Sequence, residues 1–203
     1  MTMLKSNISA TRSGRSLEFS KPALRGLMIV CGVLALTASA KFSIPFFPVP
    51  LTLQPLTVLL LGAMFGPRLG AATVLTYLCI GAAGFPVFAG TPAKGLGLAY
   101  MAGPTGGFLV GFLVAAWLVG ALVAYAKGRN IGWMFVTMVA GMAAIYVPGL
   151  LWLGTLVGWD KPILQMGFYP FIYGDLLKIG IAALLVPGVS RLQRRFSVDR
   201  SRH

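Results

Sequence analysis

Long uncharged stretches, broken by short clusters of charge, proline and glycine, dominate the pattern of this chain. Phe42 to Pro67, Leu69 to Ala93, Gly95 to Ala126 and Asn130 to Trp159 each run without a charged side chain. A helix needs about 20 apolar residues to cross the hydrocarbon core of a bilayer. Backbone groups in lipid must be satisfied within the segment itself, so runs of this kind read as helices. Dividing them at charges, prolines and glycines predicts six transmembrane helices, near residues 24–40, 51–66, 68–85, 104–126, 131–157 and 166–190. Gly66-Pro67-Arg68 leaves almost no loop between the second and third, which suits a tight turn, since Pro is favoured in the first turn of a helix. Gly103-Pro-Thr-Gly-Gly107 opens the fourth in the same way, and Pro148 should bend the fifth. The predicted fold class is an all-α integral membrane protein: a six-helix domain over 24–190 between basic tails at 1–23 and 191–203.

Composition strengthens this reading. The chain is 57% hydrophobic and 10% charged, against about 45–50% apolar and roughly a quarter charged in soluble domains. Its net charge of +13 is unevenly placed. With six spans, one side collects Lys5, Arg12, Arg15, Lys21, Arg25, Arg68, Lys127, Arg129, Arg191, Arg194, Arg195, Arg200 and Arg202. The other holds Lys41, Lys94 and Lys161, the last beside Asp160. Cytoplasmic loops are enriched in Lys and Arg, so both termini are expected in the cytoplasm and the protein in the cytoplasmic (inner) membrane. The basic tails then serve as topology signals with attraction to anionic lipid; no aromatic-basic platform points to nucleic acid. At the N-terminus, basic residues, Gly26 to Leu36 and Ala38-Ser-Ala40 also have the order of a secretory signal. That leader would be unusually long, and cleavage would move the basic C-terminal tail to the wrong side, so the segment is read as the first span. Its small residues Ala35, Ala38 and Ser39 are candidates for close helix contact in lipid.

The scarcity of functional groups excludes much chemistry. His203 is the only histidine, and Glu18, Asp160, Asp175 and Asp199 are too scattered to hold magnesium. Cys31 and Cys79 lie in different apolar segments without partners at motif spacing, so they read as small hydrophobes. No phosphate-binding G-x-x-x-x-G-K-[ST] loop occurs. No catalytic residue, metal site or cofactor is expected, which leaves binding and transport.

Asp175 and Lys178 are the chief candidates. An ionisable residue near the bilayer centre costs about 2.5–3.5 kcal/mol on insertion scales, so it usually faces a partner, a cavity or a ligand. Residues three apart share a helix face, and Phe168, Phe171, Asp175 and Lys178 fall on one stripe if the last span is a single helix. At about 1.5 Å per residue, Asp175 would then lie about 18 Å below the external end. The stripe fits a packed face with a structural ion pair, or an aromatic-walled slot with a polar floor, the usual make-up of a small-molecule site. The external side adds the Pro-rich connection Phe42–Pro50, Gln54 just beyond it, and the loop Phe85–Gly97 with Phe88 and Lys94. Glycines at both ends of that loop would let it move as a lid. Gln54 and Lys94 are candidate ligand contacts, with helix–helix hydrogen bonding and plain solvation as their alternatives.

Five motifs in order carry a resemblance: Pro48-Val-Pro-Leu-Thr-Leu-Gln54, Leu61-Gly-Ala-Met-Phe-Gly-Pro-Arg-Leu-Gly70, Gly81-Ala-Ala-Gly-Phe-Pro-Val-Phe-Ala-Gly90, Gly103-Pro-Thr-Gly-Gly107 and Gly174-Asp-Leu-Leu-Lys178. Over residues 25 to 190 the chain resembles the BioY family of biotin transporters, the substrate-binding subunits (S components) of energy-coupling-factor (ECF) systems. The resemblance implies six helices and an externally open biotin pocket. It also implies a transmembrane coupling protein and cytoplasmic ATPase subunits as partners; self-association is left open. Asp175 and Lys178 would contact biotin, its apolar parts would rest on Phe168, Phe171 or Phe88, and Ala35 and Ser39 would face the coupling protein. Thr91-Pro-Ala-Lys94 departs from the family's shorter glycine-rich stretch, so no contact from that stretch follows from the resemblance. A subunit for another vitamin, such as thiamin or riboflavin, and a structural subunit with an intramembrane ion pair are the rival readings.

Overall fold

The computed structural model describes residues 21–125 and 130–199. Residues 1–20 and 200–203 of the predicted tails, with Lys127 and Arg129, lie outside the described residues. The elements in chain order are α1 (Lys21–Lys41), β1 (Ser43–Ile44), β2 (Leu51–Thr52), α2 (Gln54–Ala82), α3 (Gly97–Met101), α4 (Gly106–Tyr125), α5 (Ile131–Val157), α6 (Ile163–Gly167) and α7 (Ile172–Asp199). β1 and β2 form a two-residue antiparallel ladder, pairing Ser43 with Thr52 and Ile44 with Leu51. The prolines between them keep that connection from continuing α1 as a helix.

α2 is a hairpin rather than a rod. Gly66 interrupts it at φ 78° and ψ 177°, a conformation open essentially to glycine alone. Its arms run antiparallel: Gln54 Nε2 donates to the Tyr77 hydroxyl at 2.8 Å, whereas 23 residues of straight helix would separate them by about 34 Å. The expected Gly66-Pro67-Arg68 turn is therefore present, with Pro67 starting the second arm. Small residues let the helices close tightly. A Cβ on Gly62 would lie 2.6 Å from the Ala116 carbonyl oxygen of α4, and one on Gly111 would lie 2.7 Å from the Ile145 carbonyl oxygen of α5. α4 thus sits at the centre, between the α2 hairpin and α5, and α1 packs on α2 through Gly32 against Leu61 and Phe65.

Leu36, Val58, Leu59, Val74, Ala115, Val119, Met134, Met138 and Leu153 form the sealed core. The outer surface is apolar as well, with Leu34, Val110, Trp117, Val136, Leu151 and Leu177 exposed. A soluble monomer rarely carries apolar surface so extensive; here it faces lipid. Among the described residues, four helices are long and apolar enough to cross a membrane: Pro22–Lys41, Gln54–Ala82, Gly106–Tyr125 and Ile131–Val157. This is a helical, multi-pass membrane fold.

The segment predicted as one helix over 166–190 differs. α6 ends at Gly167, Phe168 to Phe171 make a turn, and α7 starts at Ile172 and stays helical beyond 190 to Asp199. Pro170 is the physical reason. It cannot donate a backbone hydrogen bond and disfavours helical geometry at Tyr169. Asp175 therefore lies in the first turn of α7, and the expected depth of about 18 Å, counted along one unbroken helix, does not hold.

Candidate functional site

One cavity opens at the end of the bundle that carries Lys41 and the loop after α2. It holds about 550 Å³ of free space, its mouth included. Val49, Pro50 and Thr52 of the Pro-rich connection roof it, with Gln54 and Pro55 beside them. Ala89, Tyr100 and Thr105 form a second wall. α4 supplies Phe108, Leu109 and Phe112, α5 supplies Met142, Ile145 and Tyr146, and Phe171, Asp175 and Lys178 complete it. Largely apolar walls with a few convergent polar groups are the usual construction of a small-molecule site.

Lys178 Nζ stands 2.8 Å from Asp175 Oδ1, with both side chains buried. The other carboxylate oxygen, Oδ2, accepts a hydrogen bond from the Tyr146 hydroxyl. Asp175 gains further from its place in the first turn of α7, because the helix dipole favours an anion there. The Tyr146 ring is held edge-on by Phe168 at 4.9 Å and Phe108 at 6.1 Å. Opposite, the Gln54–Tyr77 hydrogen bond is continued by Tyr77 donating to the Val87 carbonyl at 3.0 Å. One N–H of Gln54 Nε2 is thereby used, leaving its second N–H and its carbonyl oxygen as the groups it can offer the cavity.

Four of the residues singled out in the sequence line the cavity together: Gln54, Phe171, Asp175 and Lys178. Three do not. Phe168 leaves the expected stripe because the helix breaks at Pro170, and it packs on Tyr146 from the far side. Phe88 is fully buried between Tyr77 and Tyr100, edge-on to the first at 5.4 Å and stacked on the second at 4.9 Å. Lys94 is exposed, its alkyl chain lying over Gly90. On α1, Ala35 is exposed, whereas Ser39 is buried and donates to the Leu36 carbonyl at 2.8 Å. The two therefore do not share one outward face.

The loop after α2 is tied down rather than free. Lys41 Nζ donates to the carbonyls of Phe88 and Thr91, each at 3.2 Å, and to Thr91 Oγ1 at 3.0 Å. Tyr100 donates to the Ala89 carbonyl at 2.8 Å. Burial raises the Tyr100 phenol above its ordinary range. A lid hinged on its glycines fits poorly with these ties. Lys41→Met should release part of the loop and speed tryptic cleavage after Lys94 severalfold; an unchanged cleavage rate would show that the lysine is not a tie.

Sequence reasoning missed Tyr146, Tyr100 and Thr105; it brought the Pro-rich connection Phe42–Pro50 to the site but singled out none of the roof residues Val49, Pro50 and Thr52. Tyr146 carried a signal: it is the only phenol in the 27 residues of α5. Nothing in the sequence told which face of α5 would meet α7.

Comparison with known proteins agrees with these observations. The BioY family model matches residues 13–195. The biotin transporter BioY of Thermotoga maritima is 37% identical over 158 residues, covering 78% of this chain and 90% of that protein. A probable biotin transporter BioY of Pyrococcus horikoshii is also 37% identical over 158 residues, covering 77% and 91%. The biotin transporter BioY of Rhizobium etli is 36% identical over 160 residues, covering 75% and 84%. Among solved structures, the S-component for biotin from an ECF-type ABC transporter superposes with a TM-score of 0.70 at 21% identity, covering 85% of this chain and 95% of that one, a likeness of fold. Matched by the family model along nearly its whole length, and by these relatives over most of theirs, the chain belongs to the BioY family.

Proposed function

We propose that this protein takes up biotin, binding it in the cavity beside Asp175 and Lys178 and delivering it inward with an ATP-driven coupling module. One observation carries the choice of ligand. Asp175 and Lys178 present an acceptor and a donor 2.8 Å apart at a largely apolar cavity. Biotin's cyclic urea offers the complement, an N–H beside a carbonyl on one rigid edge. Asp175 accepts the N–H and Lys178 donates to the carbonyl, while the sulfur ring lies against Phe171 and the aromatic residues of α4. The valerate chain points toward the mouth at Pro50 and Thr52. The urea edge is neutral, so it joins the ion pair without adding charge to the membrane interior.

In this reading the chain crosses the cytoplasmic membrane six times, with each arm of α2 counted as a span, and both termini are cytoplasmic. The cavity then opens outward, at the end that carries Lys41. The exposed face of α1, including Ala35, meets the coupling protein. Energy comes from partner ATPases, as the S-component fold suggests. Titration of the purified full chain with biotin, thiamin and riboflavin tests the reading. Biotin alone is expected to bind at micromolar concentration or below; binding of another vitamin in its place, or of none, would overturn it.

A further inference from the structure

Tyr146 is tied to the candidate pair but belongs to a different helix, and the family resemblance assigned it no part. It sits where two spaces meet. It lines the central cavity, and with Asp175 and Met142 it also floors an apolar groove between α5 and α7 on the outer face. Between these spaces its hydroxyl donates to Asp175 Oδ2. Lys178 Nζ takes Oδ1 at 2.8 Å. The two restraints differ in kind. Lys178 lies one turn along the same helix and moves with Asp175, so it cannot fix the carboxylate relative to the cavity walls. Tyr146 comes from α5 and can.

We propose that Tyr146 is a positioning residue for substrate: its hydroxyl sets the orientation of the Asp175 carboxylate, so that the remaining lone pairs face the bound urea edge. The proposal rests on the biotin reading above. An ionised carboxylate offers about four lone-pair sites. Lys178 and Tyr146 use one on each oxygen, leaving one on each for ligand. Without the hydroxyl, the carboxylate can turn about its terminal bond, whose torsion is broad. The ring itself is restrained by the edge contacts of Phe108 and Phe168, with interplanar angles of 84° and 89°. Phe168, outside the cavity, thus acts on the site through Tyr146.

The test is calorimetric titration of the full chain in nanodiscs with biotin and with biotin methylated on a ureido nitrogen, comparing wild type and Tyr146→Phe. The Phe variant keeps the ring and its packing. It is expected to bind biotin at least tenfold more weakly, and the penalty for methylation, large in wild type, should shrink in the variant. A merely structural tyrosine would lower the unfolding midpoint and leave the methylation penalty unchanged. Biotin binding by Tyr146→Phe at wild-type strength would overturn the proposal and leave the biotin reading standing. Failure of wild type to bind biotin would instead remove the reading on which the proposal rests. If Tyr146→Phe does not fold, Phe168→Leu decides: a smaller methylation penalty supports the proposal, and an unchanged one overturns it.

Discussion

Asp175→Asn and Lys178→Met, made singly, should each abolish biotin uptake; made together, they should restore the fold without restoring binding. The two halves of that expectation have different causes. In the folded protein the pair is buried, and Nζ to Oδ1 is 2.8 Å. Removing one member leaves the other charged and unpaired in a low-dielectric site, a loss of about 3–5 kcal/mol. Replacing both with neutral residues of similar size removes that penalty, and swaps of this kind are often neutral for stability. The double variant should therefore unfold in detergent near the wild-type temperature. Binding follows different logic, because hydrogen bonds to charged groups contribute about 1.5–3 kcal/mol each. Loss of both should weaken biotin about a hundredfold or more. The measurements are thermal unfolding and biotin titration on all four proteins. A double variant that binds biotin at wild-type strength would mean that the pair only holds the helix together, and the structural reading would stand.

Gly62→Val and Gly111→Val should be strongly damaging although neither residue lines the cavity. Both glycines face backbone rather than side chains: Gly62 meets Ala116, and Gly111 meets Ile145 and Ala144. A Cβ at 2.6 Å or 2.7 Å from a carbonyl oxygen cannot be accommodated by rotating a side chain. The helices must separate, and α4 carries contacts to both α2 and α5. Overpacking a well-filled interior costs about 1–3 kcal/mol, sometimes more, and valine's branching adds to that. Folded yield and unfolding midpoint should both fall for each variant. Gly174→Ala provides the control, since a Cβ there meets nothing within 4 Å. Equal behaviour of all three variants would contradict the close-packing account.

The elements themselves were legible because a bilayer imposes simple rules. Long uncharged runs of this length read as helices, and Gly66-Pro67 beside Arg68 reads as a turn between two of them. Hence the hairpin at Gly66 was visible in sequence, although its arms are short. The break at Pro170 was less visible, because Phe168, Phe171, Asp175 and Lys178 keep helical spacing straight through it. Spacing alone cannot tell one helix from two that happen to keep phase. A depth counted along one helix therefore does not apply to Asp175, and Phe168 lies outside the cavity lining.

Within the site the division is sharper. Asp175 and Lys178 stood out because charge is costly in lipid, and that cost is readable residue by residue. Gln54 stood out as a strong hydrogen-bonding side chain in an apolar stretch. Tyr146 and Thr105 did not, because a hydroxyl in an apolar helix is ordinary until something faces it. Phe88 and Lys94 looked like ligand contacts from their loop. Folding instead packs Phe88 between two tyrosines and leaves Lys94 exposed.

The sequence by itself determined that this is a helical membrane protein and set Asp175 and Lys178 apart as an acid–base pair in an apolar segment, and its ordered motifs pointed to the BioY family. Those are properties of local composition, written along the chain. Which groups meet that pair was decided only by tertiary structure. The packing of α5 against α7 brings Tyr146 to Asp175, and the hairpin of α2 brings Gln54 to Tyr77. Both meetings join residues more than twenty positions apart, at distances that no periodicity encodes.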